Sequence, residues 1–387
     1  MGKHGRKQKQ QQRSSRQYDG GDDECDCLPS SAYNLSTPSA EAGEQESEEE
    51  GDDQYRLVSV GAPSKFELYQ KSVQSPKGDI SYLLKFFLLY VGGRLPLHLQ
   101  EDFCGTALLS TEWLRSDPRR TAVGLDLDLE ALLWCLDNNM NRIGSTGSSR
   151  LSLFHGNVLQ PVKASSVSYK CEGAANSPNL TGLSEESALP ECESKSTEQI
   201  DPERQIDDKG CTKKIDSFPA RDIVCAFNYS CCCLQSRTEL VVYFKHAHSC
   251  LSRKGGIFVM DLYGGTSSEA KLRLKRKFSN FKYVWEQEDF DIINRTTRIS
   301  LHFQLGKHQT IHHAFSYNWR LWSLPEIKDC LLEAGFRSVH FWIREMPDTH
   351  DRENSEEFNA GRDVKYEEVS SFQQRDAWNA YIVAVAG

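Results

Sequence analysis

Hydrophobic residues along this chain alternate between two spacings, one typical of buried strands and the other of amphipathic helices. Short apolar runs bounded by turn residues predict strands, and apolar residues three or four positions apart predict helices. Five strands are predicted before residue 266, two ending at Asp102 and Asp126 and three within residues 151–159, 222–230 and 256–265. Because helical stretches separate them, this rhythm predicts a parallel sheet covered on both faces.

The predicted helices carry their own start and stop signals. Two short helices, broken at Pro76–Gly78, precede the first strand, and Gly255–Gly256 closes the helix after the fourth strand. Asp128 is placed to cap the helix after the second strand, and Gly144 lies near its end. The apolar face of that helix is expected to comprise Leu129, Leu132, Leu133 and Leu136.

Past Gly265 the pattern changes to consecutive strands joined by short polar turns, which predicts an antiparallel addition over about residues 278–322. Ser323, Pro325 and Gly335 then bracket a helix. Two final strands, at 338–345 and 378–387, are expected to pair as a hairpin at the sheet edge. The predicted fold class is therefore α/β, with a doubly wound, mostly parallel sheet, an antiparallel last strand and an added antiparallel β insertion.

Two segments lack the apolar residues needed for a core. Residues 1–64 change from a basic head to an acidic cluster and are expected to form a disordered, charged tail. Residues 163–217 are mostly polar and are expected to form a disordered insertion, because structureless loops of that length are uncommon inside compact domains. The folded domain is therefore predicted over residues 65–387, interrupted by this insertion.

Charge and cysteine usage limit the classes of protein that fit. The formal net charge of -9 at pH 7 argues against a chain built to coat nucleic acid. The 13 cysteines show no paired C-x-x-C spacing, so neither a disulfide framework nor a metal site is expected, and Cys231–Cys233 are interpreted as core residues. No secretory signal or long apolar span is present, which favours a cytoplasmic location, and the basic head leaves a nuclear one open.

The residues that suggest chemistry lie where the first two strands end. Glu101 and Asp102 end the first strand, Gly105 lies in the turn that follows, and Asp126 ends the second strand. A helix N-terminus after this turn offers free backbone N–H groups, and a carboxylate at the next strand tip suits the hydroxyls of a ribose. The turn lacks the G-x-G-x-x-G of dinucleotide sites, and the chain has no P-loop. A nucleoside without phosphates fits this arrangement best.

The stretch EDFCGTA at 101–107 resembles the first motif, acid-x-Gly-x-Gly-x-Gly, of class I S-adenosylmethionine-dependent methyltransferases. The order of elements over residues 65–387, without the insertion, is similar to that family, and GLDLDLEAL, HGNV and YNWRLWSLPEI resemble one of its less characterised branches. The resemblance implies a Rossmann-like fold with S-adenosyl-L-methionine as cofactor. Phe103 and Ala107 replace the first and third glycines, and Phe103 is expected to require a turn with ordinary backbone angles.

The resemblance also implies roles for individual residues. Glu101 matches the acid beside the methionine portion and Asp126 the ribose-binding acid, while Asn157 matches an adenine contact but is equally compatible with an Asx turn. The expected cofactor-binding residues are Tyr69, Gln74, Glu101, Phe103, Cys104, Gly105, Thr106, Asp126, Leu127, Asn157, Val158 and Phe227. Tyr69 and Gln74 would act as a lid, or simply belong to a packing helix. Asn228 and Tyr229, after the fourth strand, are the expected catalytic residues.

The methyl acceptor is expected over the carboxyl ends of the fourth and fifth strands, beneath the antiparallel addition. The expected substrate-binding residues are Tyr263, Arg298, Arg320 and Trp322, with Tyr317 beside them. This mixture of aromatic and cationic side chains suits an acidic or planar small molecule. If a base is needed, the candidates are His302, His312 and His313, and the alternation of side chains along a strand would let at most one of the last two face the site.

The favoured function is in-line methyl transfer to a small-molecule acceptor, for which the protein supplies alignment and desolvation. A protein or RNA acceptor, tethered by the charged tail, is one alternative. A non-catalytic binding scaffold on a methyltransferase fold, suggested by Phe103 and by the long insertion, is another. A nicotinamide-dependent oxidoreductase is disfavoured by the glycine pattern, and neither a metal nor a membrane partner is expected.

Overall fold

The structure, a computed structural model, describes residues 63–144, 147, 149–168, 214–215, 218–306, 309–347, 349 and 365–387. The charged tail up to residue 62 and most of the 163–217 insertion lie outside these residues, so the expectation that those parts are disordered stays a prediction. Residues 165–167 are an exception, because they form a strand that pairs with the third predicted strand, so the start of the insertion was predicted too early. Within the described residues, no helix combines the length and the apolar character needed to cross a membrane.

Helices and strands alternate along the first two thirds of the chain. In order they are α1 (Lys65–Val73), α2 (Pro76–Tyr90), β1 (His98–Asp102), α3 (Leu108–Ser116), β2 (Thr121–Asp126), α4 (Leu129–Asn138), β3 (Leu151–His155), β4 (Ser165–Val167), β5 (Ile223–Ala226), α5 (Arg237–Cys250) and β6 (Ile257–Gly264). The remaining elements are β7 (Leu272–Lys277), β8 (Lys282–Gln287), β9 (Thr296–Leu305), β10 (Gln309–Arg320), α6 (Leu324–Glu333), β11 (Ser338–Met346), β12 (Glu367–Val369) and β13 (Ala377–Val385).

Among the described residues, nine strands form one sheet in the order β12-β11-β13-β6-β5-β1-β2-β3-β4. Strands β3, β2, β1, β5 and β6 are parallel neighbours, whereas β13 runs antiparallel to both β6 and β11. The predicted fold class is confirmed. The last strand pairs with β11 as predicted, but it lies inside the sheet rather than at the edge, because nearly every residue of β13 is buried and needs cover on both faces.

Four further strands in the described part of the chain form a second, antiparallel sheet in the order β10-β9-β8-β7. The sequence pattern predicted three of them and missed β7, because its leucines alternate with lysine and arginine and the segment looks too charged for a strand. The inner face of this sheet is aromatic. Trp285 of β8 contacts Tyr263 of β6 and Trp319 of β10, with ring centroids 5.8 and 5.6 Å apart. The second sheet therefore packs against the carboxyl end of β6.

Helix α4 begins as predicted but buries a different face. The Asp128 side chain accepts a hydrogen bond from the backbone N–H of Ala131, which caps the helix. Leu129 and Leu133 are 42% and 46% exposed. The buried residues are Ala131, Leu132, Cys135 and Leu136. The small Ala131 and Cys135 side chains allow the helix to approach the sheet closely, which the two leucines would prevent.

Trp285 fills space between the two sheets and is 1% exposed, so Trp285→Ala is expected to lower the free energy of unfolding by about 3–5 kcal/mol. The control is Arg298→Ala on the outer face of the same sheet. Arg298 is exposed and lies 3.8 Å from Glu288, so its loss should cost less than about 1 kcal/mol. Urea unfolding followed by far-UV circular dichroism measures both, and equal effects would contradict the assignment of inner and outer faces.

Candidate functional site

The turn between β1 and α3 contains three residues in the left-handed region. Phe103, Gly105 and Ala107 have φ values of 56°, 51° and 48°. These are the three positions that hold glycine in the motif, so the backbone adopts the conformation that glycine favours although two side chains are present. The expectation that Phe103 requires ordinary backbone angles is therefore wrong.

The ring of Phe103 is directed away from the front of this turn. It packs edge-on against Tyr243 of α5, with centroids 5.6 Å apart. A Cβ built on Gly105 would meet no heavy atom within 4 Å outside its chain neighbours. The backbone of the turn at Gly105 is therefore open to an approaching ligand.

Glu101 and Asp102 point to opposite faces of the sheet, because they are adjacent on a strand. Glu101 is 6% exposed and accepts hydrogen bonds from the backbone N–H and the hydroxyl of Ser110 at 2.9 and 2.5 Å. Burial raises its pKa to about 7, although the Ser110 hydrogen bonds oppose this. Asp102 accepts from the Tyr243 hydroxyl at 3.1 Å, and burial raises its pKa to about 6. Glu101 thus connects β1 to α3, and Asp102 connects β1 to α5.

Asp126 connects the tip of β2 to the same turn. Its Oδ2 accepts from the backbone N–H of Gly105 at 2.6 Å, and its Oδ1 accepts from the backbone N–H of Asp128 at 2.7 Å. Burial raises the pKa of Asp126, and its charge contributes to the raised pKa of Glu101. The structure therefore brings the two predicted carboxylates to one edge of the sheet.

The turn after β5 consists of two successive left-handed residues, Asn228 at φ 59° and Tyr229 at φ 60°. Their backbone N–H groups donate to the two oxygens of Asp261, on β6, at 3.0 and 2.8 Å. Such backbone strain persists only where surrounding contacts hold it in place, and Asp261 supplies these contacts. Burial raises the pKa of Asp261 to about 8. Sequence reasoning missed Asp261, although a lone acid in an otherwise apolar strand was a signal.

The side chains of this turn have different surroundings. Tyr229 is 1% exposed, its hydroxyl donates to Asn379 Oδ1 at 3.1 Å, and its ring lies 4.8 Å from that of Tyr263. Its expected catalytic role is therefore corrected to a positioning role in the core. Asn228 is half-buried, and its Oδ1 is buried with no hydrogen-bond partner in the described part of the chain.

Helix α1 lies over these strand ends and is attached on two sides. Gln70 Nε2 donates to Thr106 Oγ1 in the β1–α3 turn at 2.6 Å. Lys65 forms an ion pair with Glu130 of α4 at 2.8 Å. The helix is therefore fastened to the turn at Thr106 and to α4 at Glu130.

The expected lid residues lie along the site side of α1. The Tyr69 ring is 5.0 Å from Phe315 of β10. Burial, followed by the charges of Asp261 and Asp126, raises the pKa of Tyr69. Gln74 caps the C-terminus of α1, and its Oε1 is buried without a hydrogen-bond partner among the described residues.

The other predicted cofactor-binding residues are divided between core and surface. Four of these residues are buried and support the turns from within the core: Cys104, Thr106, Val158 and Phe227. Leu127 is 62% exposed beside Asp126 and offers an apolar surface there. Asn157 is exposed, and its Oδ1 accepts from the backbone N–H of Leu159 at 2.8 Å. This is the Asx turn that the sequence left open, and it occupies the oxygen expected at the adenine.

Two of the predicted substrate-binding residues, Tyr263 at the carboxyl end of β6 and Trp322, border one cavity. Tyr263 is buried and donates to Gln287 at 3.3 Å, and Trp322 donates to the carbonyl of Leu234 at 3.1 Å. Arg298 is exposed on the outer face of β9. Arg320 packs on Trp322 at 3.8 Å. Packing between the sheets accounts for the two aromatic residues, and strand alternation directs Arg298 outward.

Two further residues near the candidate site are Tyr317, which was named beside the substrate-binding residues, and Cys233, which was not. Burial, then the neighbouring Tyr69, Cys233, Tyr283 and Asp126, raises the pKa of Tyr317. Cys231 and Cys232 are buried as expected, but Cys233 is exposed at the end of the short helix after Tyr229.

The three candidate histidines lie on the outer face of the second sheet. A bulge between Ile311 and Phe315 breaks the alternation of β10. Both His312 and His313 consequently contact His302, with ring centroids 5.7 and 4.7 Å apart. The expectation that adjacent histidines point to opposite faces is wrong for this reason, and none of the three is placed as a base at the strand ends. In the described part of the chain, no cluster of His, Cys, Asp and Glu is arranged to hold a metal ion.

A comparison with protein-family models finds no match, and a comparison with curated protein sequences finds none either. Among solved structures, the chain is similar to a S-adenosylmethionine-dependent methyltransferase from Clostridium acetobutylicum, with 15% identity, a TM-score of 0.43 and coverage of 83% of this chain and 97% of that one. It is similar to the CcbJ methyltransferase from Streptomyces caelestis, with 11% identity, a TM-score of 0.47 and coverage of 84% and 99%. At these identities and TM-scores the likeness assigns no activity to this chain.

The raised pKa of Asp261 predicts a pH dependence of stability. Because the pKa is about 8 in the folded protein against an ordinary 3.8, the folded state binds the proton more tightly than the unfolded chain. Stability is therefore expected to fall as the pH rises through this interval. Urea unfolding at pH 5 and pH 9 should show a decrease larger by at least about 1 kcal/mol in the wild type than in Asp261→Asn. Equal decreases would contradict a buried, protonated Asp261.

Proposed function

We propose that this protein is an S-adenosyl-L-methionine-dependent methyltransferase that acts on a small-molecule acceptor. The observation that carries the proposal is the pairing of Asp126, at the tip of β2, with an open left-handed turn at Gly105. A carboxylate in that position suits a ribose, and the turn has no array of glycines for a pyrophosphate. A phosphate-free adenosine is the ligand class that satisfies both features.

The residues present fit the methionine portion of that cofactor. Asn228 Oδ1 and Gln74 Oε1 are buried oxygens without hydrogen-bond partners in the described residues. A buried acceptor without a donor costs about 1–3 kcal/mol, so a ligand ammonium group that donates to either oxygen would remove an existing penalty. Glu101 adds a nearby carboxylate whose position is fixed by Ser110. Leu127, exposed beside Asp126, offers an apolar surface to a planar base.

The protein's part in the reaction is alignment and exclusion of water. The bound cofactor supplies a methyl group already activated on a sulfonium, so the chain need only place the acceptor in line with it. Asp261 fixes the turn at Asn228, which borders the transfer zone together with Tyr317 and Cys233. Helix α1 covers the strand ends and keeps water from them.

The alternatives have less support. The scaffold interpretation was suggested by Phe103 and the long insertion, and the first ground is weakened because the Phe103 ring packs on Tyr243. A protein or RNA acceptor has no observation in its favour among the described residues.

Replacing Asp126 by Ala is expected to weaken binding of S-adenosylhomocysteine at least about tenfold, because one good charged hydrogen bond is worth about 1.5–3 kcal/mol. Isothermal titration calorimetry measures the change. The matched control is Asp117→Ala, at the opposite edge of the sheet, where Asp117 pairs with Arg119 at 2.7 Å. No binding to the wild type, or equal binding by the two variants, would contradict the proposed nucleoside site.

Incubating the wild type with methyl-labelled cofactor and a cell extract that contains small molecules, proteins and RNA should label a small molecule, identified by mass spectrometry. Asn228→Ala, which keeps the backbone N–H that Asp261 holds, should lower the rate at least about tenfold, since misalignment of reacting atoms costs rate steeply. Circular dichroism checks that the variant is folded. Label that enters protein or RNA instead would replace the small-molecule acceptor by a macromolecular one.

A further inference from the structure

The outer face of the second sheet carries a group of cations at its β7–β8 end. This group, here called the basic face, consists of Arg273, Lys275, Lys277 and Lys282. All four are exposed, because they alternate with inward-facing residues such as Leu274 and Tyr283. The face is thus built on two paired strands rather than on loops.

The charges of the basic face are not balanced within it. Lys277 and Lys282 are directly opposite each other in the β7–β8 ladder, an arrangement that is destabilising for like charges. Arg273 lies 3.8 Å from Glu286, whereas no ion pair of Lys275, Lys277 or Lys282 is found among the described residues. The neighbouring His302 adds no charge near pH 7, because burial lowers its pKa to about 4. An anionic partner would relieve the repulsion between the two lysines.

The chain itself has a segment of opposite charge close to this sheet. Residues 44–53, EQESEEEGDD, carry seven carboxylates and no cation. They lie outside the described residues. The described chain resumes just before Ser64, which caps α1, and α1 packs on β10 of the same sheet through Phe66 and Tyr69 against Phe315.

The chain between the acidic segment and Ser64 is long enough for the segment to reach the basic face. Asp53 precedes Ser64 by eleven residues, which span up to about 35 Å when extended. The width of the sheet from β10 to β7 is three strand spacings, or about 14 Å. The connection is therefore long enough for the acidic segment to pass β10 and reach Lys282 and Lys277.

We propose that the acidic segment, residues 44–53, docks on the basic face of the same chain. Docking there places carboxylates beside Lys275, Lys277 and Lys282. A nucleic acid is the other polyanion that could use such a face, but the tethered segment has the advantage of a high effective concentration.

Zero-length carbodiimide crosslinking of the full chain, followed by mass spectrometry, tests the docking. Crosslinks from residues 44–53 to Lys275, Lys277 and Lys282 are expected to exceed those to the exposed control lysines Lys77, Lys254 and Lys328 by at least about fivefold, as for an intramolecular contact. The excess should be independent of protein concentration. It should disappear in about 1 M salt, where the screening length is about 3 Å.

Charge reversal tests whether the contact depends on the pairing of opposite charges. The triple variant Lys275→Glu, Lys277→Glu, Lys282→Glu should lose the crosslinks, as should Glu48→Lys, Glu49→Lys, Glu50→Lys, while combining the two sets should restore crosslinking between the segments. Circular dichroism confirms that each variant folds.

Three outcomes would overturn the proposal: crosslinks spread evenly over control lysines, no restoration in the combined variant, or crosslinks that grow with protein concentration. Binding of single-stranded RNA to the wild type that is lost with the lysine triple but unaffected by the tail triple would assign the face to nucleic acid instead. These readouts do not involve S-adenosylmethionine, so they stand apart from the proposed activity.

Discussion

The candidate site depends on one hydrogen bond, from the backbone N–H of Gly105 to Asp126. It joins the turn after β1 to the tip of β2, beyond the last ladder pair at Asp102 and Leu125, and the Cys104 N–H supports it by donating to the Leu125 carbonyl at 3.2 Å. The left-handed angles at Phe103, Gly105 and Ala107 bring that N–H toward β2. Without this hydrogen bond, the strained turn would lose a stabilising contact, and the orientation of the Asp126 carboxylate would no longer be fixed.

A second constraint is the burial of three carboxylates at one edge of the sheet. Glu101, Asp126 and Asp261 are each bound by backbone N–H groups, yet burial raises the pKa of all three. Desolvation thus outweighs the hydrogen bonds they accept. Such an edge is costly for folding, and strained, buried polar groups of this kind concentrate where a ligand is bound.

The second sheet and α1 pack against each other beside this edge. Aromatic packing of Trp285 and Trp319 on Tyr263 fixes the sheet against β6, and Tyr69 on Phe315 fixes α1 against the sheet. The same arrangement explains why Tyr229, Tyr263 and Trp322 belong to the core. Their rings fill the joint between the two sheets, whereas Asn228 is half-buried and Cys233 is exposed.

The sequence by itself determined the parallel sheet, its helices and the acids at the strand ends, because apolar periodicity and capping residues act locally. It could not give the side-chain directions that depend on distant partners. The left-handed angle of Phe103 is accompanied by packing of its ring on Tyr243. The bulge after Ile311 turns both His312 and His313 toward His302. Asp261 can hold the turn after β5 because β6 lies beside β5. Tertiary packing decided each of these, since contacts between residues far apart in sequence outweigh local backbone preference.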